Sequence, residues 1–202
     1  INIVHPIYDN FGDIISKEEA RKHLALPVNE KIILFFGFIR KYKGLDLLLE
    51  AMNNANIREA NIKLLIAGEF YDNKEEYDSI IAKYNLANSL YVRTQFIDNS
   101  EVKYYLSAAD FVIQPYKNAT QSGVTPLAYH FEKPMLVTSV GGLANLVPHM
   151  KVGIVTEPNA DSIAAGIMKL YELGETHFLK HLCEEKKKFS WEHLTTAIIE
   201  NK

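Results

Sequence analysis

The chain has 202 residues, a formal net charge of −3 at pH 7 and 48% hydrophobic residues, which fits one large globular domain or one domain with a small extension. The weak charge argues against nucleic acid as the main partner, because a phosphate backbone needs a basic surface. A single cysteine, Cys183, excludes an internal disulfide. No apolar run approaches the ~20 residues that cross a bilayer, so we expect no transmembrane segment.

The first predicted elements alternate between helix and strand. Ser16 and Glu19 form a capping-box pattern, which predicts a short helix that ends at Pro27. The continuous apolar run Lys31–Gly37 predicts a strand that is covered on both faces. Helical spacing of four apolar residues predicts the next helix, at Leu45, Leu48, Leu49 and Met52. Strands are also predicted at residues 62–68 and 90–96, with a polar helix at 75–84 between them.

The central stretch of the chain, residues 91–142, carries the most informative pattern. Residues 98–100 are predicted to cap a helix that leads to a buried strand at 110–115. A polar loop follows, and a helix begins near Ser122 and closes before residue 132. A second apolar strand then ends in the pair Gly141 and Gly142, which allows a close backbone approach or a plain tight turn.

The remaining predicted elements are shorter. Residues 1–6 read as a β-like segment, and residues 152–155 as a strand. Asp161 leads an amphipathic helix that Gly174 ends, and the tail 175–202 is helical in pattern with an interruption at 189–191. Strands that alternate with helices at this spacing predict a Rossmann-like α/β fold, a doubly wound parallel sheet of about six strands. We therefore predict a Rossmann-like domain over residues 1–174 and a helical extension over 175–202, which packs on it or towards a missing N-terminal domain.

Two loops at predicted strand ends indicate an anion site. The helix start near Ser122 and Gly123 offers unpaired backbone N–H groups and the positive end of a helix dipole. The loop that follows the first long strand carries three cations, Arg40, Lys41 and Lys43. Ordinary solvated loop charges are the alternative interpretation, but a position opposite the helix start favours neutralisation of a diphosphate. The phosphates of a nucleotide are the predicted ligand.

Several other classes of site find little support. The chain contains neither a GxGxxG nor a GxxxxGK[ST] motif, which argues against dinucleotide dehydrogenases and P-loop NTPases. No Gly-x-Ser-x-Gly elbow indicates a hydrolase. The cluster His177, His181 and Cys183 is better interpreted as a solvated helix face than as a metal site, so no metal ligands are predicted. Tyr116, at a strand end, is a candidate to line the ligand pocket.

With these residues in view, the chain resembles the donor-binding half of group 1 glycosyltransferases of the GT-B fold. The likeness lies in four stretches, at residues 36–48, 64–69, 108–116 and 133–143, with a weaker one at 189–192. It covers nearly the whole chain in the right order. The resemblance implies a hexosyltransferase-like activity that takes a UDP-, GDP- or similar nucleotide sugar, without metal or cofactor and usually with retention of configuration. It also implies a cytoplasmic protein, at the inner membrane face in its full-length form.

The resemblance also implies roles for individual residues. Lys43 matches the basic residue that stabilises the leaving diphosphate, whereas the family arginine corresponds to Phe38, and Arg40 is the substitute candidate. A glutamate pair that contacts the donor sugar and the ribose corresponds to Ala119 and Leu127. Polar side chains in the neighbouring loop and helix are expected to replace that pair. The predicted donor-binding residues are Gly37, Tyr116, Thr120, Gln121, Ser122, Gly123, Val124 and Thr125.

Three functional hypotheses follow. The first is a glycosyltransferase domain whose acceptor, a glycan or lipid-linked saccharide, binds to a preceding domain that this chain lacks. Such a chain alone would bind nucleotide weakly and transfer little sugar. The second is a non-catalytic nucleotide-binding or scaffold domain of the same fold, which the missing glutamates favour. The third, a sugar-nucleotide epimerase, would require a fuller set of catalytic acids and histidines than the sequence contains.

Overall fold

A computed structural model describes residues 10–187 of the chain. The β-like segment predicted at 1–6 and the interruption predicted at 189–191 lie outside these residues. Within them the chain forms one parallel sheet of six strands. The strands are β1 (Lys31–Phe36), β2 (Ile62–Ala67), β3 (Leu90–Arg93), β4 (Phe111–Gln114), β5 (Met135–Thr138) and β6 (Gly153–Thr156).

Helices connect the strands and cover both faces of the sheet. They are α1 (Lys17–His23), α2 (Leu45–Met52), α3 (Ala55–Glu59), α4 (Lys74–Lys83), α5 (Val102–Ala108), α6 (Val124–His130), α7 (Leu143–Leu146), α8 (Ala160–Leu173) and α9 (Glu175–Lys186). Short 3₁₀ turns lie at Lys41–Lys43 and Ala87–Ser89. None of the described helices combines the length and apolar character that a membrane span requires.

Local signals placed most helix starts correctly. The Ser16 hydroxyl accepts the Glu19 N–H at 3.1 Å, as the capping box predicts. The predicted cap of α5 is wrong, because Asp98 instead accepts hydrogen bonds from the N–H and hydroxyl of Ser100, and α5 begins at Val102 without a side-chain cap. Helix α8 begins at Ala160, so Asp161 lies in its first turn as predicted, and the cap is Asn159.

The strand order is β3-β2-β1-β4-β5-β6, which confirms the doubly wound Rossmann-like sheet. Strand β1 pairs with β2 on one side and with β4 on the other, so the chain winds outwards in both directions from the centre. The chain therefore leaves β1 and β4 in opposite directions, and this switch point marks a crevice at the carboxyl edge of the sheet. In open α/β sheets this crevice is where ligands bind.

The core lies along the central strands. The four residues of β4 and the four of β5 are all buried, in agreement with their continuous apolar sequences. Helix α9 belongs to the same core, because Phe178 and Leu182 are fully buried within it. The first turns of the region 175–202 thus pack on the domain that precedes them.

Candidate active site

A cavity of about 350 Å³ opens at the carboxyl edge of the sheet, beside the crevice between β1 and β4. The loop after β1 contributes Gly37 and Lys43 to its wall, and the start of α6 contributes Gly123 and Val124. Four phenylalanines make much of the remaining surface apolar, namely Phe11, Phe36, Phe38 and Phe96. The structure thus brings together the two loops from which the sequence predicts an anion site.

Close backbone contacts hold these two loops together. Gly44 has φ +71°, and a Cβ at this position would lie 1.9 Å from the Pro115 carbonyl oxygen, so only glycine fits. The Lys117 N–H donates to the Tyr42 carbonyl at 2.7 Å. On the far side of the second loop, a Cβ on Gly141 would lie 1.6 Å from the Ala119 carbonyl oxygen. The Leu143 N–H also donates to the Val140 carbonyl at 3.3 Å, across Gly141 and Gly142, and Gly141 has φ +51°. Both interpretations of the glycine pair are therefore correct, since it forms a tight turn and approaches protein backbone closely.

Lys43 is the cation that faces the cavity. The 3₁₀ turn directs its side chain inwards, where it is only 9% exposed, and its Nζ lies 5.8 Å from the centroid of the Tyr116 ring. The ion pairs among residues 10–187 do not include Lys43. Burial, with a smaller contribution from the positive charge of Arg40, lowers the pKa of Lys43 to about 8. An anion in the cavity would supply the counter-charge that this ammonium lacks.

The other two cations of the same loop point elsewhere. Arg40 is exposed, and its guanidinium lies over the ring of Tyr71, 4.9 Å from the centroid. Arg40 is not part of the cavity wall. Lys41 is also exposed and forms an ion pair of 2.9 Å with Glu76. Of the three predicted cations, only Lys43 lies in the wall of the cavity.

Some of the hydrogen-bonding groups at the start of α6 are already paired with each other. The Ser122 hydroxyl accepts the Val124 N–H at 3.1 Å and lies 3.0 Å from the Tyr116 hydroxyl. The Val124 N–H, which the sequence assigned to a phosphate, already has a partner, so this part of the prediction is corrected. Gly123 lines the cavity, and a Cβ at this position would have no heavy atom within 4 Å, so the space beside it is open.

The remaining predicted donor-binding residues do not line the cavity. Thr125 is fully buried and its hydroxyl donates to the Gln114 amide oxygen at 3.0 Å, so it cannot meet a ligand as predicted. Tyr116 is also buried, which raises the pKa of its hydroxyl, and its ring lies near the Lys43 ammonium. Thr120 and Gln121 are exposed outside the cavity wall.

Several residues of the cavity wall were not predicted. Glu69 follows β2, and Phe96, Ile97 and Asn99 follow β3. The signal that would have found them is their position after strands, because the carboxyl ends of all the parallel strands meet at one edge. Leu127 also lines the cavity, at the position where the resemblance implied a carboxylate.

Comparison with known proteins decides the family. The family described as "Glycosyl transferases group 1" matches residues 16–189. The chain belongs to this family. An uncharacterized glycosyltransferase of Methanocaldococcus jannaschii is 28% identical to it over 91% of the chain and 47% of the relative. The putative teichuronic acid biosynthesis glycosyltransferase TuaC of Bacillus subtilis is 25% identical over 78% of the chain and 37% of the relative.

Solved structures show the same fold. The sucrose-phosphate synthase of Thermosynechococcus elongatus matches 98% of the chain and 50% of its own length, with a TM-score of 0.80 and 21% identity. Anabaena HepE in complex with UDP matches 92% of the chain and 51% of its own length, with a TM-score of 0.78 and 18% identity. The chain thus spans about half the length of these relatives or less.

A third structure consists of a single domain. The C-terminal domain of the group 1 family protein LpcC from Francisella tularensis matches 94% of the chain and 95% of its own length, with a TM-score of 0.72 and 19% identity. The chain therefore has the same Rossmann-like fold as this C-terminal domain, which is that of one GT-B half.

Proposed function

We propose that this domain binds the nucleotide-diphosphate sugar donor of a glycosyltransferase, with the diphosphate at Lys43. The observation that carries the proposal is a buried ammonium that faces a cavity and has no carboxylate partner among residues 10–187. A buried charge without a partner is unfavourable unless a ligand compensates it. Anabaena HepE, which shares the fold, has been crystallised with UDP, which supports a nucleotide as the ligand of a domain of this fold.

The proposed chemistry is electrostatic. The bond between the anomeric carbon and the phosphate oxygen breaks, and its electron pair remains on the diphosphate. The Lys43 ammonium and the open backbone at Gly123 stabilise this developing charge, which lowers the barrier. The departing phosphate oxygen takes the proton of the acceptor hydroxyl as the new glycosidic bond forms on the same face, so configuration is retained. No metal ion and no protein nucleophile take part in this scheme.

The relatives that the chain matches are about twice as long as the chain itself. We propose that a preceding domain binds the acceptor, a glycan or lipid-linked saccharide, across this edge. The isolated chain would then bind the donor weakly and transfer little sugar.

Calorimetric titration of the chain with UDP, GDP and the corresponding nucleosides tests the proposal. We expect saturable binding of at least one diphosphate, and Lys43→Met should weaken it by about tenfold or more while the nucleoside affinity changes little. Lys41→Met is the matched control, because Lys41 lies on the same loop but is exposed and paired with Glu76. Arg40→Met should have an intermediate effect, since Arg40 lies outside the cavity wall.

Two results would contradict the proposal. Absence of saturable binding at millimolar nucleotide would favour a scaffold domain of the same fold, the alternative suggested by Ala119 and Leu127. Equal losses of diphosphate and nucleoside affinity in Lys43→Met would remove the assignment of the ammonium to the phosphates.

A further inference from the structure

The cavity that holds Lys43 also contains an acidic side chain, Glu69. This residue follows β2, and its carbonyl accepts the Ile39 N–H at 2.8 Å. The preceding Gly68 packs tightly against the backbone of Gly37, with a Cβ position 2.2 Å from the Gly37 carbonyl oxygen. The Glu69 backbone is therefore fixed beside the strand end that also carries Gly37.

Glu69 lines the cavity as a half-buried residue. The hydrogen bonds and ion pairs described for residues 10–187 do not include this side chain, and Glu69 does not pair with Lys43 across the cavity. A diphosphate held at Lys43 would be repelled by a second negative charge nearby. The carboxylate is therefore placed for a part of the ligand that is not anionic and that donates hydrogen bonds.

The rest of the wall offers few other polar groups. Asn99 is the one further side chain with hydrogen-bonding groups in the described lining, and Val102 and Leu127 add apolar surface beside the phenylalanines. A ligand hydroxyl in this cavity would therefore depend on Glu69 for a strong acceptor, because a hydrogen bond to a charged group is worth more than one to a neutral group.

From this arrangement we infer that Glu69 determines donor specificity by accepting hydrogen bonds from hydroxyl groups of the donor's carbohydrate part. The inference rests on the proposed function, because it assumes that the phosphates lie at Lys43. The hydroxyls belong either to the ribose or to the transferred sugar. A cation is the less favoured partner, since no group of three or more His, Cys, Asp or Glu side chains that could hold a metal ion occurs among residues 10–187.

Glu69→Gln is the decisive variant, because it keeps the shape of the side chain and removes its charge. Dissociation constants of the variant are measured for inorganic pyrophosphate, UDP and GDP. They are then measured for derivatives of whichever nucleotide binds more tightly, namely its 2′-deoxy form and the nucleotide sugar that carries glucose or mannose. We expect pyrophosphate to bind up to several-fold more tightly, because a repulsive charge is gone. At least one preference, for ribose over deoxyribose or for nucleotide sugar over nucleotide, should fall by about tenfold.

The two preferences identify the source of the hydroxyls. Loss of the ribose preference places the ribose at Glu69, and loss of the sugar preference places the transferred sugar there. The control is Glu75→Gln, on the exposed start of α4, which removes the same charge outside the cavity and should change neither ratio. Opposite shifts for pyrophosphate and nucleotide sugar cannot come from a general loss of structure, which would weaken both.

Three outcomes would overturn the inference. Unchanged preferences in Glu69→Gln, with binding that still depends on Lys43, would refute the role of Glu69 and leave the proposed function intact. A change confined to the preference between GDP and UDP would assign the carboxylate to the base instead of a hydroxyl. Failure of the unmodified chain to bind any of these ligands would refute the proposed function and this inference with it.

Discussion

Two lysines are buried to nearly the same extent at opposite ends of the sheet. Lys43, at the carboxyl end, is 9% exposed and Lys133, at the amino end, is 8% exposed. Burial is the main cause that lowers the pKa of each to about 8. Their surroundings differ, because Lys133 donates to the carbonyls of Ser107 at 3.3 Å and Ala109 at 2.9 Å. Lys43 takes part in no ion pair described for residues 10–187, and its Nζ lies 5.8 Å from the centroid of the Tyr116 ring and is repelled by the charge of Arg40.

The amino end continues as a closed network. The Asp110 carboxylate accepts hydrogen bonds from Arg21 at 3.0 Å, from the Ile32 N–H at 2.8 Å and from the Tyr171 hydroxyl at 3.1 Å. Lys17 joins the same carboxylate at 2.6 Å. Every charge in this network meets a partner, so it ties α1 and α8 to the sheet. Two lysines with similar burial and a similarly lowered pKa therefore differ in their partners, and the proposed function rests on the absence of a carboxylate partner for Lys43 among residues 10–187.

The largest effect on stability is expected when the Asp110 carboxylate is removed from this network. Asp110→Ala leaves the Arg21 guanidinium, which is 2% exposed, without its carboxylate, and should lower the free energy of unfolding by about 3–5 kcal/mol. Urea denaturation followed by circular dichroism measures the change. Asp78→Ala, which breaks an exposed pair with Lys74 on α4, is the control and should change stability by less than about 0.5 kcal/mol. Similar losses of stability in both variants would show that the ion pairs of Asp110 contribute no more than an exposed pair.

Lys133→Met should destabilise the domain. The substitution deprives two carbonyls, at Ser107 and Ala109, of their donor, and each unsatisfied buried acceptor is unfavourable. Relief of a buried charge offsets part of this, so we expect a net loss of about 1–3 kcal/mol in urea denaturation. An increase in stability would mean that Lys133 behaves like Lys43 and would remove the contrast between the two ends.

Lys43→Met should stabilise the domain, whereas Lys133→Met should destabilise it. The folded protein lowers the pKa of Lys43 from 10.5 to about 8, so the protonated form is disfavoured by folding. Stability contributed by this group is therefore lost at neutral pH and recovered as the pH rises from about 8 to 10.5. Removal of the charge should raise the free energy of unfolding at pH 7 by about 1–2 kcal/mol, while diphosphate binding weakens. A stability that falls instead would show that the ammonium is compensated within the fold.

The smallest effect is a pH dependence of binding. Only the protonated Lys43 attracts a diphosphate, so the affinity of the unmodified chain should fall as the pH rises above about 8. The slope should approach about tenfold per pH unit. Calorimetry at pH 7, 8 and 9 measures it, with Lys43→Met as the variant in which the slope disappears. A slope that persists in the variant would assign the titration to another group.

Much of the fold could be predicted because it follows from local patterns of apolar and polar residues. Continuous apolar runs mark strands that are covered on both faces, and the runs at β1, β4 and β5 are indeed fully or almost fully buried. Alternation of strand and helix then implies a parallel sheet with its ligand site at the carboxyl edge. The family resemblance carried the same conclusion over nearly the whole chain.

The site was predictable only in part. Sequence position places Gly37, Lys43 and Gly123 near one edge, but it does not fix the direction of a side chain within a loop. Arg40, three residues before Lys43, turns outwards onto Tyr71, and Thr125, two residues after Gly123, turns into the core. Glu69 and Phe96 were missed because they come from loops far apart in sequence, after β2 and β3.

The sequence by itself determined the strands, the helices, the family and the loop that carries the key lysine, because these follow from short-range periodicity and motif order. Only the tertiary structure decided which charges face the cavity and which are already paired. That distinction depends on contacts between segments distant in the chain, such as Gly44 against Pro115, and on the desolvation that close packing imposes on a charge.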